Sequence, residues 1–258
     1  MRKNVLIVGP QGYSQRLRAA FAGSDLDAVA VPLIETVIPD DLPDMDALFA
    51  DLGRFAYVSF SSRRAIESFA RRHDAGGGSL DGVQFLAIGK DSDYLVERLG
   101  VGVALEPDEP SPMGIAHTLA RQPGTAGTPI AALVPHVEHL AEPAVVPEFL
   151  AELTRIGMDV TRVNAYVTRS VGGEEATRAA RLISDHQVDA VAFTSGAEVD
   201  ALLLAVSGPA ALSHTTIACF GPYTAAHARK QGVDVDIVGQ NFASFAGFLT
   251  ALTEYYAR

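Results

Sequence analysis

Short apolar runs alternate with stretches of helical periodicity along the whole chain. Residues 5–8 (VLIV) form an uninterrupted apolar run typical of a buried strand, whereas residues 13–21 carry apolar side chains at helical spacing. Further strands are predicted at residues 28–34, around 57–58, and at 85–88, 130–134, 160–167, 190–193 and 216–220; further helices are predicted at 63–71, 92–99, 113–120, 147–156, 174–184, 199–206, 223–231 and 245–256. This alternation predicts an α/β fold with parallel sheets that are covered by helices on both faces.

An internal repeat predicts that the fold is duplicated. The sequence Phe60-Ser61-Ser62 recurs as Phe193-Thr194-Ser195 at an offset of 133 residues, and Ile88-Gly89 recurs as Phe220-Gly221 at an offset of 132. Three further matches keep an offset of 132 or 133 residues: 31–34 with 163–166, 99–101 with 231–233, and 111–115 with 244–248. A nearly constant offset indicates two copies of one α/β unit. The Pro- and Gly-rich segment 121–129, at the junction of the copies, is one place where the chain could be divided.

The composition predicts a packed globular protein and limits its ligands. The chain has 258 residues, of which 48% are hydrophobic and 20% charged, enough for two domains. Its 20 basic residues are outnumbered by 31 acidic ones, which gives a net charge of −11. Because a nucleic-acid-binding protein needs a basic face, we expect no nucleic-acid partner.

The sequence also bears on location and cofactors. The apolar run that follows Met1 is too short for a signal peptide, and no apolar stretch is long enough to span a bilayer. The one cysteine, Cys219, lies in an apolar run and can form no intramolecular disulfide. His136, Glu138 and His139 lack the spacing of a zinc site. We therefore expect a cytoplasmic monomer that uses no membrane, metal or cofactor.

Several short segments follow one another in the order of a known enzyme family. In the second half, residues 188–195 (VDAVAFTS) and 221–226 (GPYTAA) carry the clearest likeness, and residues 165–168 (AYVT) precede them. In the first half the matching segments are residues 32–35 (PLIE), 60–62 (FSS), 65–66 (AI) and 87–89 (AIG). Taken in order over the whole chain, these segments resemble the uroporphyrinogen-III synthase family.

The resemblance implies both an architecture and a reaction. Two duplicated α/β lobes with parallel sheets are expected, joined by a two-stranded linker formed by residues 35–38 and 165–169. Residues 1–34 with 168–258 would form a discontinuous lobe, and residues 35–167 an inserted lobe, with the substrate in the cleft. The family's substrate is hydroxymethylbilane, a linear tetrapyrrole that bears acetate and propionate groups. A cyclising hydro-lyase of porphyrin and heme biosynthesis converts it to uroporphyrinogen III, with loss of water and inversion of ring D.

The reaction that the resemblance implies depends more on how the protein positions the substrate than on reactive side chains. Loss of water from the terminal hydroxymethyl carbon gives an electrophilic azafulvene, which the far pyrrole attacks to form a spiro intermediate. Since spontaneous closure occurs without inversion, the protein must hold one conformer rather than supply a strong nucleophile. Tyr166 matches the family tyrosine thought to assist the leaving hydroxyl by donating a hydrogen bond. The alternative is a strand tyrosine that packs at the hinge between lobes.

The substrate carboxylates are expected to bind where helices begin. Helix N-termini offer free backbone N–H groups and the positive end of the helix dipole. The residues predicted to bind substrate are Ser61, Ser62, Arg63, Lys90, Ser195, Gly196, Gly221, Pro222 and Thr224. Thr224 also matches a site threonine of the family. The alternative for the hydroxyl residues is helix capping alone, and for Arg63 and Lys90 it is simple solvation.

Two departures from the family pattern leave other functions open. Residues 8–10 read Val-Gly-Pro where the family usually has Thr-Arg-Pro, and residues 135–137 read Pro-His-Val where it often has Pro-Arg-Gly. Two expected cations are therefore missing. The alternatives are a diverged two-lobed binding or sensor protein, and an enzyme of this fold that acts on another substrate.

Overall fold

Strands and helices alternate along the computed structural model, which describes residues 2–76, 78–240 and 245–257. Strands β1 to β11 span Lys3–Ile7, Leu26–Ala30, Ile34–Val37, Tyr57–Phe60, Gln84–Leu86, Val103–Leu105, Pro129–Glu138, Asp159–Ser170, Ala190–Phe193, Thr216–Cys219 and Ile237–Val238. Helices α1 to α10 span Gln11–Ala20, Pro43–Ala50, Arg63–Asp74, Asp91–Leu99, Pro112–Ala120, Val145–Arg155, Glu174–Ser184, Gly196–Val206, Pro222–Lys230 and Phe245–Tyr256, with short 3-10 turns at Leu52–Arg54 and Pro209–Leu212. In these ranges no helix has the length and apolar character needed to cross a membrane.

The first of two compact units is built on a parallel sheet. It comprises Met1–Glu35, Val137–Pro143 and Thr168–Arg258. Its strand order is β11-β10-β9-β1-β2, and neighbouring strands run parallel. Both faces are apolar: Leu6 of β1 packs into one buried cluster, and Val5 and Ile7 pack into another on the opposite face. Because the strands are parallel, their carboxyl ends share one edge, where β1, β9 and β10 lead into α1, α8 and α9.

The second unit repeats this plan with a different set of strands. It comprises Thr36–His136 and Ala144–Val167. The sheet that forms its centre has the strand order β3-β8-β7-β4-β5-β6, and β4 pairs in parallel with β5 and with β7. Successive residues of β7 alternate between two buried clusters, with Leu133 in one and Ala132 and Val134 in the other. The predicted α/β fold with parallel sheets covered on both faces is confirmed.

The structure differs from the sequence-based prediction near the first crossing between the units. The strand predicted at residues 28–34 is interrupted: β2 ends at Ala30, and a separate strand, β3, begins at Ile34. Pro32 lies between them and lacks the N–H group that a regular strand offers to its neighbour. Residues 137–143, which the prediction assigns to the inserted lobe, group with the first unit, and Leu140 packs against the core of that unit.

Candidate functional site

Ser61 and Ser62 lie where β4 ends and α3 begins. Ser62 is the N-cap of α3, with an extended backbone (φ −170°), and its Oγ accepts a hydrogen bond from the Ala65 N–H at 3.4 Å. Ser61 Oγ donates a hydrogen bond to the carbonyl oxygen of Leu133 on β7, at 2.9 Å. Helix capping, the alternative considered for these hydroxyl groups, therefore holds for Ser62, whereas Ser61 fastens the turn to the neighbouring strand.

Tyr166 of β8 contacts the same helix start. Its side chain is 8% exposed, and the Ser62 hydroxyl donates a hydrogen bond to its phenolic oxygen at 3.0 Å. Burial raises the pKa of the Tyr166 phenol above its ordinary value of 10.0, although the hydrogen bond from Ser62 acts in the opposite direction. Tyr166 is therefore neutral at physiological pH. Because Ser62 supplies the proton of this hydrogen bond, the phenolic proton of Tyr166 is not used in it.

Two predicted cations lie at the same edge of this sheet. Arg63 Nε donates to Asp91 Oδ1 at 3.2 Å, and its guanidinium carbon lies 4.5 Å from the ring centroid of Tyr94. Both contacts fix the direction of the Arg63 side chain, which is 36% exposed. Lys90 is exposed and immediately precedes α4, after the end of β5. Since β4 and β5 are parallel, the structure brings Lys90, Arg63 and Ser62 to the same end of the sheet.

Ser195 and Gly196 form the matching turn in the first unit. Ser195 is the N-cap of α8, and its Oγ accepts a hydrogen bond from the N–H of Glu198 at 3.4 Å. Gly196 is buried against the ring of His227, and a Cβ atom added at Gly196 would lie 2.9 Å from the ring carbon Cγ. The His227 ring is held in turn by Asp200, with 2.8 Å between Nε2 and Oδ1. These contacts lock the start of α8 against α9.

Gly196→Ala is expected to lower the free energy of unfolding by about 1–3 kcal/mol, because the new methyl group overlaps a ring that cannot move freely. Gly12→Ala is the matched control, since Gly12 also lies in the first turn of a helix but has no atom within 4 Å of the added Cβ. Urea denaturation of both variants checks the prediction. A Gly196→Ala variant as stable as the control would contradict it.

Thr224 lies beside this turn, at the start of α9. Gly221 is the N-cap of α9, and Pro222 occupies its first turn, where a missing N–H group costs nothing. Thr224 is 8% exposed, and its Oγ1 donates a hydrogen bond to the carbonyl oxygen of Thr194 at 3.3 Å. Because β9 and β10 are neighbouring parallel strands, the structure brings Thr224 and Ser195 to one edge of the first sheet.

Sequence reasoning missed one titratable group at this edge, Glu198. Its side chain is 1% exposed, and it accepts hydrogen bonds from the N–H of Thr194 at 2.7 Å and from the Thr194 hydroxyl. Burial raises the pKa of the Glu198 carboxyl to about 7, although the hydrogen bonds from Thr194 and Ser195 lower it. The Ser-x-x-Glu spacing of Ser195 and Glu198 is a capping-box signal and could have identified this residue.

A cavity in the first unit lies away from these residues. The cavity, of about 440 Å³, lies between α7, the C-terminal end of α8 and the turn that follows, and Thr177, Arg181 and Val206 are among the residues that line it. Within residues 2–76, 78–240 and 245–257, no group of three or more His, Cys, Asp or Glu side chains is arranged to hold a metal ion.

The fold and these residues define a class of protein. In each of two α/β units, hydroxyl groups and helix N-termini gather at the carboxyl ends of parallel strands, where open α/β sheets bind their ligands. Helix N-termini in this setting suit an anionic small molecule.

Comparisons with known proteins identify the family within this class. The model of the family described as uroporphyrinogen-III synthase HemD matches residues 15–246. No curated protein sequence matches the chain significantly. A mutant uroporphyrinogen III synthase from the extremely thermophilic bacterium Thermus thermophilus matches with a TM-score of 0.66 and 18% identity over 98% of this chain and 99% of that chain. The wild-type protein from the same bacterium, in another crystal form, matches with a TM-score of 0.51 and 17% identity over 99% and 98%.

The two structural matches show a shared fold. The family match extends over most of the chain, and this chain belongs to the uroporphyrinogen-III synthase family. Members of this family are cyclising hydro-lyases of tetrapyrrole synthesis.

Proposed function

We propose that this chain converts hydroxymethylbilane to uroporphyrinogen III, with Tyr166 assisting the loss of water. The family match over residues 15–246 supports the reaction. The observation that carries the proposed role of Tyr166 is its hydrogen bond with Ser62: the phenol is buried, neutral and already supplied with a proton from Ser62. Its own proton therefore remains for a hydrogen bond to another oxygen atom.

That oxygen is the terminal hydroxyl group of the substrate. The electron pair of the adjoining pyrrole nitrogen expels the hydroxyl group as the carbon–oxygen bond breaks, and negative charge grows on the departing oxygen. The N–H proton of that pyrrole is lost in the same step, and it combines with the departing hydroxide to give the water released. A hydrogen bond from Tyr166 stabilises this charge. Because its pKa is raised, Tyr166 acts by hydrogen bonding rather than by giving up its proton completely. The far pyrrole then attacks the azafulvene, and the spiro intermediate rearranges with ring D inverted.

The carboxylates of the substrate are bound at the helix starts in this proposal. The N-termini of α3, α8 and α9 present backbone N–H groups, and the hydroxyl of Ser195 lies beside them. The hydroxyls of Ser61 and Thr224 donate to backbone carbonyl oxygens, so they contribute to substrate binding through their oxygen atoms, as acceptors for pyrrole N–H groups. Lys90 and Arg63, the latter paired with Asp91, bring positive charge to the site on the second unit of a protein whose net charge is −11. Gly221 and Pro222 begin α9 beside Thr224, where the backbone can approach the ligand, whereas the missing side chain of Gly196 makes room for the His227 ring rather than for the ligand.

The proposal also covers the location, the oligomeric state and the partners of the protein. We place the reaction in the cytoplasm and expect the enzyme to act as a monomer without a nucleic-acid partner. The excess of 31 acidic over 20 basic residues supports the last point. Light scattering coupled to size-exclusion chromatography would give the mass in solution, and a stable dimer would contradict the expectation of a monomer.

A product assay tests the proposed function. Freshly prepared hydroxymethylbilane is supplied to the protein, and the oxidised products are separated by isomer. We expect the III isomer in excess over the I isomer that forms spontaneously. If only the I isomer appears, at the same rate as without protein, then the proposed function is wrong and the chain acts on a different ligand.

A further inference from the structure

The buried carboxyl group of Glu198 has no role in the steps described above. Glu198 lies in the first turn of α8 and is 1% exposed, in contact with the apolar interior of the first unit. Its Oε2 accepts a hydrogen bond from the N–H of Thr194 at 2.7 Å, and its Oε1 accepts one from the Thr194 hydroxyl. Burying a carboxyl group costs free energy, so a smaller or apolar residue would serve better if only packing mattered.

Helix capping alone does not account for Glu198. The internal repeat places Ala65 at the equivalent position of the other copy, 133 residues earlier. There, Ser62 caps α3 by accepting a hydrogen bond from the Ala65 N–H, and the helix begins in the same way without an acidic side chain. The carboxyl group of Glu198 therefore provides something beyond the cap.

The turn between β1 and α1 makes room for this carboxyl group. A Cβ atom added at Gly9 would lie 2.8 Å from Glu198 Oε1, closer than a real Cβ atom comes to another atom. Ser14 Oγ donates a hydrogen bond to the carbonyl oxygen of Gly9 at 2.8 Å, which holds the turn in place. The carboxyl group thus occupies the volume that any side chain at residue 9 would need, and it lies at the carboxyl end of both β1 and β9.

Thr194 links this carboxyl group to the predicted site. Its N–H and hydroxyl groups donate to Glu198, and its carbonyl oxygen accepts the hydrogen bond from Thr224 Oγ1 at 3.3 Å. We propose that Glu198 is a positioning residue, which fixes Thr194 and thereby holds the Thr224 hydroxyl in place, with its oxygen atom left to accept a hydrogen bond from a pyrrole N–H group of the substrate. This inference rests on the proposed function, because it takes Thr224 to bind the tetrapyrrole.

The kinetic test compares Glu198→Ala, Glu198→Gln and Glu148→Gln. Glu148 also lies in the first turn of a helix but is exposed, so its variant controls for the loss of one carboxylate at a helix start. We expect Glu198→Ala to lower kcat/KM for the III isomer about tenfold or more and to lower the ratio of III to I isomer, since small displacements of positioning groups are costly. The amide oxygen of Glu198→Gln can still accept from the Thr194 N–H, so this variant should recover most of the loss.

A double-mutant cycle shows whether Glu198 acts through Thr224. If it does, Glu198→Ala and Thr224→Ala change the same kinetic parameter, and the double variant is no slower than the slower single variant. Losses that multiply in the double variant would overturn the proposal. So would a Glu198→Ala protein that loses thermal stability while kcat/KM and the isomer ratio stay at wild-type values, because Glu198 would then be purely structural.

Hydrogen exchange tests the positioning role of Glu198 independently of the proposed enzymatic function. In a peptide that contains residues 193–197, Glu198→Ala is expected to speed exchange of the Thr194 amide on the order of 10-fold, since its hydrogen-bond acceptor is gone. Glu148→Gln should leave it unchanged. If the wild-type protein forms no III isomer, the proposed function fails and the exchange result decides alone whether Glu198 fixes Thr194. Unchanged exchange in Glu198→Ala would overturn the positioning role.

Discussion

Tyr166→Phe is expected to lower the turnover number for uroporphyrinogen III about 100-fold, because hydrogen-bond donation to the departing hydroxyl is lost while the ring is kept. The fold should tolerate the change, since the aromatic ring still packs in the core of the second unit. Removal of the phenol leaves the Ser62 hydroxyl without its acceptor, and that group still caps α3. The rate of III-isomer formation and the melting temperature, measured on the same preparation, check the prediction.

Tyr57→Phe is the matched control for this experiment. Tyr57 begins β4 in the same sheet, at the amino end of that strand, whereas Ser61 and Ser62 follow its carboxyl end. The control should keep wild-type turnover. An active Tyr166→Phe enzyme, with the III isomer made at the wild-type rate, would exclude Tyr166 from the chemistry and leave it as a packed strand tyrosine.

The sequence predicts the fold where local pattern and burial agree. The apolar run at residues 5–8 overlaps β1. A strand buried on both faces carries apolar side chains at successive positions, so the run itself indicates the strand. The boundary near Pro32 was wrong because a run of apolar residues does not show where ladder pairing stops. The segment 137–143 groups with the first unit, where Leu140 packs against the core, and one apolar side chain in a loop leaves no periodicity in the sequence.

The contacts of the candidate site are harder to predict from the sequence than the fold is. The cap at Ser62 follows from local spacing, because a hydroxyl residue directly before a helical pattern is a helix-start signal. Its contact with Tyr166 joins residues 104 positions apart and depends on which strands are neighbours. The approach of Glu198 to Gly9 likewise depends on β1 lying beside β9. Resemblance to a family supplies Tyr166 and Thr224, but it does not supply the residues that hold them in place.

The second large effect concerns the stability of the first unit as pH changes. Burial raises the pKa of Glu198 from 4.5, the ordinary value, to about 7. The folded protein therefore binds this proton more tightly than the unfolded chain does. For a carboxyl group of this kind, the contribution to stability is full below pH 4.5 and is lost as pH rises to about 7. The raised pKa therefore corresponds to a loss of roughly 3 kcal/mol in the free energy of unfolding as the pH rises over that interval.

Glu198→Gln removes the titration while it keeps the size of the side chain, so the free energy of unfolding of wild type relative to this variant should fall by about 3 kcal/mol from pH 4.5 to pH 7.5. Glu152→Gln is a control of opposite sign, because the hydrogen bond from Arg155 lowers the pKa of Glu152. Its contribution is present above pH 4.5 and disappears only at more acidic pH, so the corresponding difference for Glu152 should stay flat over this interval. Urea denaturation of all three proteins in a series of buffers measures both differences. A flat difference for Glu198 would mean that its carboxyl group titrates near its ordinary pKa and that solvent reaches it in the folded protein.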